Sequence, residues 1–356
     1  GEYTLQLVGT QNVKVFLDGK QVIHKRSRFR RMEVTLQLQE GKEYELKMTY
    51  KKERPTSDCW VRLGWIRPDT RSTLQSIFQH SIDAAKKADV AVVFIGLDHN
   101  TESEGMDRDS MRLPEYHEEF VKAILAANPR TAVVVYAGTP IAMDPWFETT
   151  PALVLPWHPG IENGNAVATV LAGDADFGGR LPITFPKSYA DSPAHPSRQQ
   201  PDKFNTIIHH EGIFVGYRWY DYLDIEPLIP FGHGLSYSPI EFSNLKLSAK
   251  DRKNGQPVSV SFEVENLGAL ETVAIPQLYV KDVESSLPRP PKELKGFDRI
   301  RLKSGETKTV TMELDDSSFA FYDPAKRAWV VETGEFEILI GASSRNIVLT
   351  EKLIQK

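Results

Sequence analysis

The sequence predicts a multidomain fold: a β-rich first segment, an α/β sandwich with a mostly parallel sheet, and a β-sandwich last. Three patterns predict it. Apolar and polar residues alternate over residues 1–69, short apolar runs alternate with helical spacing after residue 70, and strand patterns alone follow residue 240. A chain of 356 residues is also longer than one ordinary core, which agrees with two or three domains.

The first segment has the alternation of half-buried strands. Its runs YTLQL, VKVFLDGKQVI and MEVTLQLQEGKEYELKMTY place apolar residues at every second position, and CWVRLGWI closes the segment as a further strand. Asp18 and Gly19 stand between two such runs, which predicts a tight hairpin turn.

The central segment alternates helices with short apolar strands. LQSIFQHSIDAAKKA, PEYHEEFVKAILAAN and NGNAVATVLAG have helical patterns, the last of them stopped by Gly173. DVAVVFIGL, TAVVVYAG and PALVLPW are continuous apolar runs typical of buried parallel strands with helices on both faces. Ligands bind at the carboxyl ends of such strands. Residues 183–237 are rich in proline and aromatic residues, which predicts a long ordered strap.

Composition excludes several classes of function. The net charge of −5 gives no basic surface for nucleic acid or an anionic membrane, and no apolar run has the length of a membrane span. Cys59 is the single cysteine, so neither an internal disulfide nor a thiolate metal site can form. We expect a secreted or periplasmic protein over a cytoplasmic one, although the cysteine count also fits a reducing compartment.

The stretch GLDHNTESEGMDRDSM, residues 96–111, is the first candidate site because its carboxylates follow an apolar strand. Glu104 is the candidate general acid, which needs a pKa raised by burial or by neighbouring carboxylates. Glu102 and Asp107 could raise that pKa, whereas Arg108 would oppose the effect. From the residues alone, a loop of solvated charges is the favoured interpretation.

A second candidate is WHPGIENGN, residues 157–165, whose glycines precede a helix. It lacks the lysine and the spacing of a phosphate-binding loop, so we interpret it as a tight turn, with Trp157 as a candidate wall for stacking a sugar. No nucleophile elbow occurs. We expect no cofactor and no metal, since four histidines are scattered among aromatic residues and prolines: His158, His209, His210 and His233.

Several motifs in order resemble the C-terminal half of glycoside hydrolase family 3, which includes β-glucosidases and β-xylosidases. They are ESEGMDR, VVVYAGTPIAMDPW, WHPGIENGNAVATVLAGDADFGGRLPITFPKS, EGIFVGYRWYD and PLIPFGHGLSYS. The end of the chain, with ELKGFDRIRLKSGETKTVTMELD, is similar to an immunoglobulin-like, fibronectin type III-like domain. Residues 1–69 resemble the second half of a PA14 domain. The implied domains are therefore 1–69, 70–237 and 238–356.

The resemblance implies retaining hydrolysis of β-glycosides by two carboxyl groups about 5 Å apart. Glu104 matches the family's acid/base, Glu102 is the runner-up, and Asp107 and Arg108 are expected to hold the loop in shape. The PA14 segment GTQNVKVFLDG lacks the adjacent aspartates of a calcium site, which agrees with no metal.

The family's nucleophile is an aspartate in a Ser-Asp-Trp stretch of an N-terminal (β/α)8 barrel, and this sequence contains neither. We therefore expect the acid/base-bearing part of an exo-acting β-glucosidase that hydrolyses short oligosaccharides or aryl glycosides. Its partners would be the β-glycoside substrate and the barrel portion of the same enzyme, without which it should be inactive. The alternatives are a β-xylosidase and a non-catalytic carbohydrate-binding or scaffold module. A homo-oligomer formed through the sandwich surface stays open.

Overall fold

The computed structural model describes residues 1–9, 12–25, 32–52, 60–68, 70–98, 101–104, 108, 110–196, 206 and 208–356. The chain divides into two compact units. The first contains Gly1–Asp109, Leu113–Tyr136 and Pro145–Leu155, and the second contains Ser110–Arg112, Ala137–Asp144 and Pro156–Lys356. The division into three domains, drawn from the sequence, stays a prediction.

The first unit begins with six antiparallel strands in two sheets of three. The sheet orders are β4-β1-β6 and β3-β2-β5. The strands are β1 (Glu2–Gly9), β2 (Asn12–Leu17), β3 (Lys20–Lys25), β4 (Met32–Gln37), β5 (Leu46–Lys51) and β6 (Val61–Ile66). Their alternation buries one core that contains Leu5, Leu7, Val13, Val15 and Ile23. Strand β2 pairs with β3 through a turn in which Asp18 and Gly19 both have positive φ, so the predicted hairpin is confirmed.

A three-stranded parallel sheet of order β7-β8-β9 follows in the same unit. Its elements are α1 (Thr70–Lys87), β7 (Ala91–Gly96), α2 (Glu115–Ala127), β8 (Thr131–Tyr136) and β9 (Ala152–Val154). Asn128 caps α2 and is buried, and its Nδ2 donates to the carbonyls of Ala85 and Ala88, each at 2.9 Å. This amide therefore joins the ends of α1 and α2.

Strand β7 differs from the prediction of a fully buried strand. Val92 and Phe94 are 42% and 56% exposed, whereas Val93 and Ile95 are buried. Because successive side chains of a strand point to opposite faces, one face of β7 is covered and the other is exposed among the described residues, whereas the central strand β8 buries Val133, Val134 and Val135. An apolar run alone does not distinguish a strand covered on both faces from one covered on a single face.

The second unit contains the helices α3 (Asn163–Ala172) and α4 (Tyr217–Tyr222). Helix α3 ends at Gly173, whose φ of 80° is the left-handed conformation expected at a helix C-terminus. In the described parts of the strap, Phe185 forms an isolated bridge with Ile229, and the ring of Tyr217 stacks on Phe231 at 5.0 Å. These contacts support the predicted order for the described residues of the strap.

The predicted β-sandwich is confirmed in the second unit. A three-stranded sheet of order β10-β12-β17 and a five-stranded sheet of order β11-β21-β20-β14-β15 share one core that includes Phe262, Leu278, Phe319, Phe336 and Ile340. Two strand pairs, β13-β16 and β18-β19, and the short helix α5 (Asp316–Phe319) complete it. The strands are β10 (Ile240–Leu247), β11 (Asp251–Arg252), β12 (Val258–Asn266), β13 (Thr272–Ala274), β14 (Gln277–Asp282), β15 (Glu293–Phe297), β16 (Ile300–Leu302), β17 (Thr307–Leu314), β18 (Phe321–Asp323), β19 (Ala328–Val330), β20 (Gly334–Gly341) and β21 (Ile347–Gln355).

A buried arginine joins distant parts of the sandwich. Arg252 is 1% exposed, donates to Gln355 Oε1 at 2.5 Å and forms an ion pair with Asp316. Its guanidinium also lies 4.4 Å from the centre of the Phe319 ring. Because a buried charge needs such partners, strands β11 and β21 are held together by more than their two-residue parallel pairing.

Within the part of the chain that the structure describes, no helix combines the length and apolar character that a bilayer crossing requires.

Candidate active site

The candidate site lies at the carboxyl end of β7, where the chain passes close to β8. The Leu97 N–H donates to the Tyr136 carbonyl at 2.8 Å. A Cβ atom on Gly96 would lie only 2.2 Å from the same oxygen, so only glycine fits at this position without moving the strands. The two strand ends thus fix where the acidic loop begins.

Asp98 builds a tight turn directly after the strand. Its carbonyl accepts hydrogen bonds from the N–H groups of Thr101 at 3.0 Å and Glu102 at 2.8 Å. Its side-chain Oδ1 also accepts from the Thr101 N–H at 3.0 Å, and its own N–H donates to the Thr101 hydroxyl at 2.9 Å. Aspartate and threonine favour turns because their side chains bond nearby backbone groups in this way. The turn places Glu102 and Glu104 immediately beyond it.

The two glutamates have different surroundings. Glu102 is half-buried and lies near Arg108, whose pKa is lowered by burial and raised by the Glu102 carboxylate. Glu104 is exposed. Glu102 therefore balances the charge of Arg108, which agrees with a supporting role, while the Glu104 carboxyl is accessible to a ligand. Gly105 and Asp107 lie outside the described residues, so the role of Asp107 stays a prediction.

His117 lies in the first turn of α2, and the sequence interpretation did not select it. Burial lowers the pKa of this imidazole, and the nearby Asp98 carboxylate opposes that effect. Its Nδ1 is buried and has no hydrogen-bond partner among the described residues. The ring also contacts Tyr116 edge-on, with centres 4.4 Å apart. Its position in an otherwise amphipathic helix gave no signal in the sequence.

Trp157, the candidate sugar-stacking residue, belongs to the second unit. It is half-buried, and its ring centre lies 6.0 Å from that of Phe185. Its φ of 59° is the left-handed conformation, which is rare for a bulky residue. Such backbone strain is concentrated at functional sites, so it is a reason to keep Trp157 as a candidate.

Other polar groups of the second unit serve its structure. Arg112 forms an ion pair with Asp144 at 3.1 Å. Burial lowers the pKa of His233, and the nearby Arg180 lowers it further. His209 Nδ1 lies 3.3 Å from a Glu211 carboxylate oxygen. In the described residues, no three His, Cys, Asp or Glu side chains are grouped as metal ligands would be.

The profile of the glycosyl hydrolase family 3 C-terminal domain matches residues 5–237. The chain belongs to this family. A fibronectin type III-like domain matches residues 274–344 as well. The family 3 match includes the carboxyl end of β7, the turn at Asp98 and α2. It also includes the strands of the first two sheets from residue 5 onward.

Two curated relatives are β-glucosidases by name. The chain is 42% identical over 279 residues to thermostable β-glucosidase B of Acetivibrio thermocellus, covering 78% of this chain and 37% of that protein. It is 33% identical over 379 residues to probable β-glucosidase I of Aspergillus terreus, covering 100% of this chain and 45% of that protein. The chain thus spans less than half the length of these relatives.

Solved family 3 structures share the fold. A β-glucosidase from Kluyveromyces marxianus in complex with glucose has a TM-score of 0.85 and 31% identity, covering 100% of this chain and 43% of that one. A β-glucosidase from Streptomyces venezuelae in complex with D-glucose has a TM-score of 0.79 and 29% identity, covering 99% of this chain and 44% of that one.

Proposed function

We propose that this chain is the acid/base-bearing C-terminal part of a retaining, exo-acting β-glucosidase, and that Glu104 is the acid/base. One observation carries the assignment: the turn that follows β7 leaves Glu104 exposed, while its neighbour Glu102 lies near the Arg108 cation. A general acid must reach the oxygen that it protonates, so an exposed carboxyl suits this role better than a carboxylate engaged with a cation.

In the proposed reaction, the protonated Glu104 carboxyl gives its proton to the glycosidic oxygen as the bond to the sugar breaks. A carboxylate nucleophile from an N-terminal (β/α)8 barrel forms the glycosyl-enzyme on the opposite face of the sugar. The Glu104 carboxylate then takes a proton from water, which attacks the sugar and releases it with its original configuration. The chain itself would be inactive, because one carboxyl group cannot carry out both steps.

The substrate class that we propose is terminal β-D-glucosyl residues of short oligosaccharides or aryl glucosides. The names of the relatives support glucosides over xylosides. A non-catalytic carbohydrate-binding module is the weaker alternative, because such a module would not need the hydrogen-bonded turn at the end of β7. Trp157 is our proposed sugar contact, supported by its strained backbone and partial exposure.

The strands of the first two sheets would be the second half of a PA14-like insert that walls the far side of the active site. Some relatives match all of this chain and others match 78%, as expected if an insert is present in only part of the family. Such a wall would favour short substrates over polymers. Secretion or a periplasmic location is part of the same proposal, and a homo-oligomer stays a prediction.

The test uses the full-length enzyme that contains this segment. Glu104→Gln should lower kcat/KM for cellobiose or methyl β-glucoside by about 10²–10⁴-fold, because their leaving groups need a proton. With 2,4-dinitrophenyl β-glucoside, the rate of the first step, formation of the glycosyl-enzyme, should fall far less. Azide should restore turnover of this substrate, because azide attacks the glycosyl-enzyme without a general base.

Glu102→Gln is the matched control, since it removes the neighbouring carboxylate by the same substitution. It should affect both substrate classes alike and should gain nothing from azide. Equal losses on activated and unactivated glucosides in the Glu104 variant, or azide rescue in the Glu102 variant, would contradict the assignment. Trp157→Ala in the same assays should raise KM more than it lowers kcat.

A further inference from the structure

We propose that the β-sandwich carries a carbohydrate-binding surface of its own, formed by the exposed aromatic pair Tyr322 and Trp329 and by a polar cavity close to it. We call it the hairpin surface, and all of its residues belong to the second unit. The inference goes beyond the proposed hydrolysis. It rests on that proposal only for the choice of ligand, a short β-linked glucan.

The aromatic pair lies on the hairpin of β18 and β19. Tyr322 and Trp329 are directly opposite each other in the antiparallel register, and their ring centres are 5.8 Å apart in a T-shaped arrangement. Tyr322 is 50% exposed and Trp329 is 71% exposed. Since the edge of one ring meets the face of the other, most of the Trp329 ring surface stays open to solvent.

The hairpin is firmly anchored to the sandwich. Phe321 and Asp323, the neighbours of Tyr322 on β18, are both buried, and the Arg289 guanidinium lies 5.3 Å from the centre of the Phe321 ring. The Asp323 carboxylate accepts hydrogen bonds from the backbone N–H groups at 325 and 326, at 2.9 and 3.2 Å, which fixes the turn. A ligand that stacks on the pair would therefore meet a surface that is already ordered, which lowers the entropic cost of binding.

A polar cavity of about 550 Å³ lies close to the aromatic pair. Glu332, which lines it, follows Trp329 by only three residues, so their Cα atoms are at most about 11 Å apart. A ligand of a few sugar units can therefore contact the tryptophan and the cavity together. The lining residues are Glu284, Ser285, Ser286, Glu332 and Thr333.

The cavity presents hydrogen-bonding groups in a fixed arrangement. The Glu332 carboxylate accepts from the Ser286 N–H at 3.0 Å and from the Ser286 hydroxyl, so its position is set. Glu284 and Thr333 are exposed, and their side chains form no hydrogen bond or ion pair with the described residues. A free carboxylate and a free hydroxyl can accept from and donate to the hydroxyl groups of a ligand.

A β-linked glucan matches this combination of groups. All ring hydroxyls of β-glucose are equatorial, so the faces of the sugar carry only C–H bonds and can stack on an aromatic ring, while the hydroxyls point sideways to polar groups. Two carboxylates disfavour an anion, because like charges repel. In the part of the chain that the structure describes, no three His, Cys, Asp or Glu side chains are grouped for a metal ion. The relatives named β-glucosidases point to glucosides.

The first experiment measures binding of cellohexaose to this chain by isothermal titration calorimetry. Trp329→Ala should weaken binding by at least about tenfold, and Trp329→Phe should stay within about threefold of the parent because it keeps a flat ring. Trp157→Ala is the matched control, since it makes the same substitution at the other candidate sugar contact, and it should leave this affinity within about twofold. Urea unfolding of each variant separates binding from the contribution of the cross-strand pair to hairpin stability.

The second experiment tests whether the ligand is neutral. Glu284→Gln removes a charge but keeps a hydrogen-bonding side chain, so the affinity for cellohexaose should stay within about twofold of the parent. Addition of about 0.5 M NaCl should leave it unchanged, because a neutral sugar has no charge to screen. Loss of affinity in salt would contradict a surface built for a neutral glucan.

The outcomes separate the inference from the proposed function. No binding of cellohexaose at about 10 mM, or equal affinities in the parent and Trp329→Ala, would overturn the hairpin surface. A parent that sediments as a dimer and a Trp329→Ala variant that sediments as a monomer would also overturn it, because a second copy would then cover the pair. Binding that depends on Trp329, together with a full-length enzyme that does not hydrolyse cellobiose, would support the hairpin surface and overturn the proposed function.

Discussion

Gly96→Ala is expected to separate the ends of β7 and β8 and to destabilise the first unit. The new Cβ would lie 2.2 Å from the Tyr136 carbonyl oxygen and 2.9 Å from the Tyr136 Cβ. An ordinary contact with that oxygen needs more than 1 Å of additional separation. Since the Leu97 N–H donates to the same oxygen at 2.8 Å, a shift of this size would break that hydrogen bond.

The magnitude follows from these two effects. Overpacking in a close-packed region lowers the free energy of unfolding by about 1–3 kcal/mol. A lost backbone hydrogen bond adds about 1 kcal/mol, so we expect a total loss of about 2–4 kcal/mol. Gly64→Ala is the matched control in the same unit, because nothing lies within 4 Å of its Cβ position and its φ is not positive. Alanine in that strand should be neutral or stabilising, by up to about 1 kcal/mol.

The assay is urea unfolding monitored by hydrogen exchange and mass spectrometry. Because exchange is measured in individual peptides, it shows which unit has lost stability. Peptides from β7, β8 and α2 should lose protection at lower urea in Gly96→Ala, while peptides from the sandwich should keep the parent midpoint. A Gly96→Ala protein within about 0.5 kcal/mol of the parent would refute the close approach of the strand ends and the position of the loop that depends on it.

Asn128→Ala should destabilise the first unit by about 2–4 kcal/mol in the same assay, since it removes two bonds to Ala85 and Ala88 and one from the Arg130 N–H; a loss below 1 kcal/mol would contradict the reasoning. Asp176 tests pH dependence: burial raises the pKa of its carboxyl, but four hydrogen bonds together hold it below its usual value. Its contribution to stability is therefore present above about pH 4 and is lost as the pH falls through the lower folded pKa. Asp176→Asn should weaken this acid sensitivity, which thermal unfolding from pH 2 to pH 7 would measure; an unchanged slope would argue against the depressed pKa.

The order of strands and helices could be predicted from the sequence because local rules decide it. The Asp18-Gly19 hairpin and the cap at Gly173 each require a positive φ that the residues present favour. The candidate Glu104 came from its position after an apolar strand and from family resemblance. Its environment could not be predicted, because the proximity of Glu102 to Arg108 depends on the path of the loop.

Three features of the fold had no local signal. Exposure of Val92 and Phe94 depends on what covers their face of β7, which is a property of the whole fold. His117 occupies a helical position that any polar residue could fill, and its burial depends on how α2 packs. Trp157 adopts a positive φ for which its side chain has no intrinsic preference.

The position of β21 has a consequence for biosynthesis. This strand lies between β11 and β20 in the five-stranded sheet, and its Gln355 accepts a hydrogen bond from the buried Arg252 guanidinium, 103 residues earlier. While a ribosome is still adding β20, the guanidinium has no Gln355 to bond, and β11 has no strand of this sheet to pair with. β11 and the Arg252 side chain can therefore join the five-stranded sheet only after β21 has left the exit tunnel, so this sheet is completed last, although β14, β15 and β20 can pair earlier.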